Sequence, residues 1–119
     1  MNIESVGVLG AGQMGNGIAQ VAACAGFQVT MVDIKQEYVD KGLAAIERSL
    51  GKLVAKERMS EQDAALALAR VSISTDKSAV ADSDLVVEAI PEIPDLKFST
   101  FAELDGICKP STILASNTS

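Results

Sequence analysis

The sequence contains no histidine. It therefore lacks the side chain that most readily takes and gives protons near pH 7, and the commonest metal ligand. Only two cysteines occur, Cys24 and Cys108, and they stand far apart. Neither belongs to a CxxC pair, which excludes a zinc knuckle or a thioredoxin-type motif. Both lie among apolar residues and are expected as reduced, buried thiols of a cytoplasmic protein. Basic residues are scarce: 10 Lys and Arg stand against 16 Asp and Glu, for a net charge of −6. Such a chain offers no basic stripe to a phosphate backbone, so no nucleic acid is expected as partner. A soluble protein with small-molecule partners fits better. No apolar run approaches the roughly 20 residues of a membrane helix. The start, Met1-Asn2-Ile3-Glu4, carries neither a basic region nor an apolar core, so no secretory leader is expected.

What is present describes a globular chain. Hydrophobic residues make up 48% and charged residues 22% of the 119 positions, which excludes disorder. The length suits one domain or part of one. Ser5-Val6-Gly7-Val8-Leu9-Gly10 is short, apolar and valine-rich, as a buried strand entering a turn would be. Beyond it, Met14, Ile18, Val21, Ala22 and Ala25 follow helical spacing and predict one apolar face, and Gly26 is placed to end that helix. Phe27 to Val32 reads as a second strand, closed by Asp33. A β-α-β unit is thus complete within the first 33 residues.

A long helix is predicted from about Lys35 to Glu57, with Val39, Leu43, Ile46, Leu50 and Leu53 stepping by four and three. Ser60 and Asp63 then resemble a capped helix start, and the Ala/Leu-rich segment runs through Arg70. Strands are expected at 71–75, 85–90 and 112–115, with a turn at Asp82-Ser83-Asp84. Pro94 is placed to open a helix carrying Phe101, Leu104, Ile107 and Cys108. Strands alternating with helices predict an α/β fold, a Rossmann-type doubly wound parallel sheet. The chain stops on the last residues of a strand, so the domain is expected to be truncated. No repeat, linker or low-complexity tract interrupts it.

Chemistry concentrates at Gly10-Ala11-Gly12-Gln13-Met14-Gly15. A lone G-x-G-x-x-G says little, but here a strand precedes it and a helix starts inside it, as the mechanism requires. Gly10 permits the tight turn, Gly12 lets a pyrophosphate approach the backbone, and Gly15 lets the helix pack close. The helix N-terminus then presents N–H groups and a positive dipole end to the phosphates. The bland alternative is a merely tight β-α turn. Asp33 follows Gly15 by 18 residues, where a carboxylate can accept both hydroxyls of an adenosine ribose and repel a 2′-phosphate. NAD rather than NADP is the expected cofactor. Asp33 can instead cap the next helix, or do both. Lys35 could soften the preference or simply be an exposed helix-start lysine. As side chains, Met14 and Met31 read as core filler.

The words of the sequence say more. Gly10 through Gln20, then Val32-Asp33, then Val86-Val87-Glu88-Ala89-Ile90-Pro91-Glu92, then Ala115-Ser116-Asn117-Thr118-Ser119, together resemble the 3-hydroxyacyl-CoA dehydrogenases. The bacterial 3-hydroxybutyryl-CoA dehydrogenases look most similar. The glycine word is generic, whereas Glu-Ala-Ile-x-Glu and Ser-Asn-Thr-Ser belong to this family. The resemblance implies that residues 1–119 are an NAD-binding Rossmann domain, incomplete, without the helical domain that dimerises in the family. It implies cofactor contacts for Glu92, Lys97 and Asn117, and places Ser119 between substrate and nicotinamide. It gives Ser49 and Lys56 to coenzyme A, two turns apart on the long helix, with Lys56 as a point charge for phosphates. Without the family, Lys56 and Lys97 would read as solvated charges.

The family's general base, a histidine beyond the Ser-Asn-Thr-Ser strand, is not in this chain. Glu88 and Glu92 are poor substitutes, since an ordinary carboxylate is a weak base at pH 7. The expected function is therefore the NAD-binding portion of an oxidoreductase interconverting (S)-3-hydroxyacyl-CoA and 3-oxoacyl-CoA, with 3-hydroxybutyryl-CoA as substrate, and with little turnover from this chain alone. The complete enzyme is expected to be a cytoplasmic homo-oligomer. Two rivals stand beside it: a free-standing NAD-sensing module, and a β-hydroxyacid dehydrogenase acting on a small free acid.

Overall fold

A computed structural model describes residues 3–89 and 113–116. Strand β1 (Ser5–Leu9) leads into helix α1 (Gln13–Cys24), strand β2 (Gln28–Val32), the 20-residue helix α2 (Gln36–Ala55) and helix α3 (Glu61–Ala69). Strands β3 (Val71–Ser74), β4 (Leu85–Glu88) and β5 (Ile113–Ser116) complete the described chain. The five strands form one sheet in the order β3-β2-β1-β4-β5, with every pairing parallel. The chain builds outward from β1 through β2 and β3, then crosses to the other side of β1. In doubly wound sheets that reversal opens a ligand crevice beyond the C-terminal strand ends. Here it lies between β1 and β4.

The strands are apolar because a central parallel strand is covered on both faces. Val6, Val8 and Leu9 of β1 and Val29, Met31 and Val32 of β2 are all buried. Gly7 stands in the middle of β1 because a Cβ there would come within 2.7 Å of Val80 Cγ1 and 3.0 Å of Ser83 Oγ. Val80 ends a short 3-10 turn (Lys77–Val80) that the sequence pattern does not announce. Asp76 starts this turn, and its carboxyl is held below the ordinary value by the backbone N–H and then the hydroxyl of Ser78. The expected turn at 82–84 is present. In it, Asp84 Oδ2 accepts the N–H groups of Glu4 (2.9 Å) and Ser5 (3.2 Å), which aligns the starts of β1 and β4.

Helix α2 follows its predicted stripe: Val39, Ile46 and Leu50 are buried, and Leu43 and Leu53 are partly so. Helix α3 starts as read, with the Ser60 hydroxyl accepting the N–H of Asp63 at 3.0 Å. Ser60→Ala should cost about 1 kcal/mol, visible as a lower urea midpoint at unchanged slope. Strand β5 sits one residue later than expected.

Helix α1 corrects the sequence reading. Its buried residues are Gly15, Ala19 and Ala23, one every four positions, with Ile18 and Ala22 beside them. Met14 is 56% and Val21 71% exposed, so Met14 is not core filler, whereas Met31 is fully buried. Cys24 is likewise exposed rather than buried. The reason is size: a seam of glycine and alanine lets the helix backbone approach the sheet more closely than methionine or valine would. At the far end of α1, Arg70 donates to the carbonyl of Ala23 at 2.8 Å, and ties the helix C-terminus to the end of α3.

Candidate functional site

The glycine turn lies at the mouth of the crevice, and its backbone is held group by group. Gly10 adopts φ 109°, which glycine reaches without a Cβ penalty. Its N–H donates to Val32 O at 2.7 Å, joining the turn to the end of β2. A Cβ on Gly15 would come within 1.9 Å of Gly10 O, so the helix approaches the turn as closely as atoms allow. Gly42 of α2 plays a related part behind the turn, where a Cβ would meet Ala11 O at 2.8 Å. Gly12 differs from both. A Cβ there would meet no protein atom within 4 Å. That side of the turn is open, and the missing side chain leaves the backbone accessible there.

Gly12 is also the N-cap of α1. Among the described residues no side chain caps this end, and the first turn holds no acidic residue. The helix start thus keeps N–H donors and a positive dipole end facing the crevice, which suits an anion. The residues at the site fit the pyrophosphate of a dinucleotide in both charge and room.

Asp33 stands just past β2, beside the turn. Its Oδ2 accepts the N–H of Ala11 at 2.8 Å, and its Oδ1 accepts the N–H of Ile34 at 2.7 Å. The N-cap of α2 is Lys35, without a side-chain cap, so Asp33 is not a helix cap. An ionised carboxylate has about four lone-pair sites. The two backbone bonds use one on each oxygen, and a second on each remains for a further donor. Lys35 is exposed at the helix start, with Nζ 5.6 Å from the centre of the Tyr38 ring.

Sequence reasoning passed over Asn16 as a side chain. Its Nδ2 donates to Gly12 O at 2.8 Å and to Ala11 O at 3.4 Å. The signal was its place four residues after Gly12, where a polar side chain can reach back to the turn.

The remaining expected positions divide. Glu88 ends β4 fully buried, in register between Leu9 of β1 and Ser116 of β5. Ala89 N–H donates to Leu9 O at 2.8 Å and continues the pairing beyond the strand end. The segment leading to Asn117 and Ser119 therefore runs up to the same sheet edge as the glycine turn. Asn117 and Ser119 themselves, with Glu92, Lys97 and Cys108, lie outside the described residues. Ser49 is half-buried on α2, and Lys56 is the exposed C-cap of that helix. Among the described residues no three His, Cys, Asp or Glu side chains group to hold a metal, and no helix is long and apolar enough to cross a membrane.

Comparison with known proteins agrees with this geometry. Residues 5–119 match the profile of the family described as 3-hydroxyacyl-CoA dehydrogenase, NAD binding domain. A probable 3-hydroxybutyryl-CoA dehydrogenase of Deinococcus radiodurans is 52% identical over 95% of this chain and 40% of its own length. The 3-hydroxybutyryl-CoA dehydrogenase of Bradyrhizobium diazoefficiens is 43% identical over 98% of this chain and 40% of its own. The crystal structure of (S)-3-hydroxybutyryl-CoA dehydrogenase from Ralstonia eutropha superposes with a TM-score of 0.96 at 47% identity, over 99% of this chain and 42% of that one. The chain thus spans about two fifths of the length of these relatives.

Proposed function

Because the chain belongs to the family of 3-hydroxyacyl-CoA dehydrogenase NAD-binding domains, we propose that it is the cofactor-holding part of an enzyme that oxidises (S)-3-hydroxybutyryl-CoA to the 3-oxo thioester, or runs the reverse. The observation that carries this reading is the paired geometry at the crevice. An uncapped helix start with an open Gly12 lies beside a carboxylate that is bonded to the same turn. NAD, when bound, would supply the hydride acceptor for this oxidation. The turn and α1 hold its pyrophosphate by N–H donation, and Asp33 accepts the adenosine ribose hydroxyls. In this reading Glu92, Lys97 and Asn117 complete the cofactor contacts, and Ser119 orients the substrate. Ser49 and Lys56 meet the coenzyme A handle.

The hydroxyl proton has to leave as the hydride does, and it needs a base poised near neutrality. With no histidine among the 119 residues, this chain binds and orients but supplies no such base. The same reading takes the complete enzyme as a homo-oligomer in the cytoplasm, where an exposed thiol such as Cys24 stays reduced.

Calorimetry with NAD, NADP and acetoacetyl-CoA tests the reading. NAD should bind at least about tenfold more tightly than NADP, a difference of about 1.4 kcal/mol. Acetoacetyl-CoA should bind measurably, and NAD reduction with 3-hydroxybutyryl-CoA should be close to background. Equal affinity for the two cofactors would remove the role given to Asp33. Turnover at the rate of a full-length relative would remove the claim that the base is missing.

A further inference from the structure

Glycine at position 12 opens the crevice to a pyrophosphate, but it also leaves the turn without a side chain to hold its peptide planes. A peptide plane next to glycine rotates more easily than one between bulkier residues. Rotation there would swing a carbonyl oxygen, with its partial negative charge, toward the place where two phosphates sit. The lip of the crevice favours an anion only while its N–H groups face outward and its carbonyls face back.

The carbonyls do face back, and one side chain reaches both. Asn16 Nδ2 donates to Gly12 O at 2.8 Å and to Ala11 O at 3.4 Å. Gly12 O also accepts the backbone N–H of Asn16 at 2.9 Å. Because both neighbours are acceptors, the amide is oriented with its NH₂ toward them. Ala11 is held from the opposite side too, since its N–H donates to Asp33 at 2.8 Å. Asparagine is an indifferent helix former, so its presence in the first turn of α1 is not explained by propensity.

We propose that Asn16 is a positioning residue of the dinucleotide site, which keeps the Ala11 and Gly12 carbonyls turned from the pyrophosphate. It restores to the turn the rigidity that Gly12 gives up for access. The inference rests on the reading of this crevice as the NAD site. It acts on the phosphates and not on the adenosine end, which distinguishes it from a general role in stability.

The test measures binding of NAD, ADP-ribose and adenosine to the protein and its Asn16 variants, alongside thermal melts without ligand. Asn16→Ala should weaken NAD and ADP-ribose by about 5- to 10-fold, as expected for one to two hydrogen bonds. It should leave adenosine, followed by ligand-observed NMR, within about twofold of the parent. Asn16→Ser should recover part of the loss, because a serine hydroxyl can bond the carbonyl four residues back, here that of Gly12. Asn16→Asp should be the weakest binder, since it places an anion against two carbonyls and beside the phosphates. Unchanged affinity for NAD and ADP-ribose in Asn16→Ala overturns the proposal. So does an equal loss for all three ligands, or a serine variant no better than alanine. Failure of the parent protein itself to bind ADP-ribose would overturn the reading of the site instead.

Discussion

Gly15→Ala is expected to cost about 3 kcal/mol or more of stability and to abolish measurable NAD binding. Overpacking a filled interior costs 1–3 kcal/mol when side chains can move aside. Here the obstacle is backbone: the added Cβ would lie 1.9 Å from Gly10 O and 2.6 Å from Gly10 C. Neither atom can rotate away, because Gly10 N–H is bonded to Val32 O at 2.7 Å and the turn is fastened to the end of β2. Helix α1 must lift from the sheet, and its small-residue seam of Gly15, Ala19 and Ala23 lifts with it. Gly12→Ala is the contrasting substitution. Its Cβ meets no protein atom within 4 Å, and its φ of −68° suits any residue. Its melting transition should stay within about 1 kcal/mol of the parent, while NAD binding falls by more than about tenfold. A urea titration and a binding isotherm on the two variants check the pair. Comparable stability for both would mean that Gly15 is not the contact point between helix and turn.

Asp33→Ala should weaken NAD by about 100-fold, or about 2.8 kcal/mol, and should narrow the gap between NAD and NADP. Three losses combine. The ribose hydroxyls lose a charged acceptor. The N–H of Ala11 loses its 2.8 Å partner, and that of Ile34 its 2.7 Å partner. The repulsion of a 2′-phosphate also disappears. The second loss limits the gain for NADP, because the turn that must hold either pyrophosphate is loosened at Ala11. Asp33→Asn keeps the shape and one acceptor oxygen, so it should fall between parent and alanine, near tenfold. Isothermal titration with both cofactors separates these effects. An unaltered NAD affinity in Asp33→Ala would exclude the carboxylate from the ribose site.

Much of the site was legible from residue order because its rules are local. A strand, a glycine turn and a helix start within fifteen residues leave few geometries for the backbone, and the carboxylate after the second strand falls beside that turn whenever β1 and β2 pair in parallel. What spacing could not show is which partner each polar atom chooses. By its position, Asp33 can serve as a ribose acceptor, a helix cap or both. In the structure it also bonds Ala11, across 22 positions. Asn16 gives no signal by type, since asparagine in a first turn more often suggests a weak helix than a brace.

The amino-acid order by itself determined the alternation of strands and helices, the apolar stripe of α2, the Ser60 cap and the place of the glycine turn. Each of these depends on neighbours within one or two turns of chain, where hydrophobic period and capping chemistry act directly. Only the tertiary structure decided which side of α1 is buried. Nine of the twelve positions of Gln13–Cys24 are apolar or small, so the period admits more than one face. The sheet selected the face that lets two backbones come closest, and so left Met14, Val21 and Cys24 at the surface. The short turn at Lys77–Val80 was decided in the same way: Val80 packs into the space that Gly7 leaves in β1, a contact between segments 73 residues apart that no local pattern encodes.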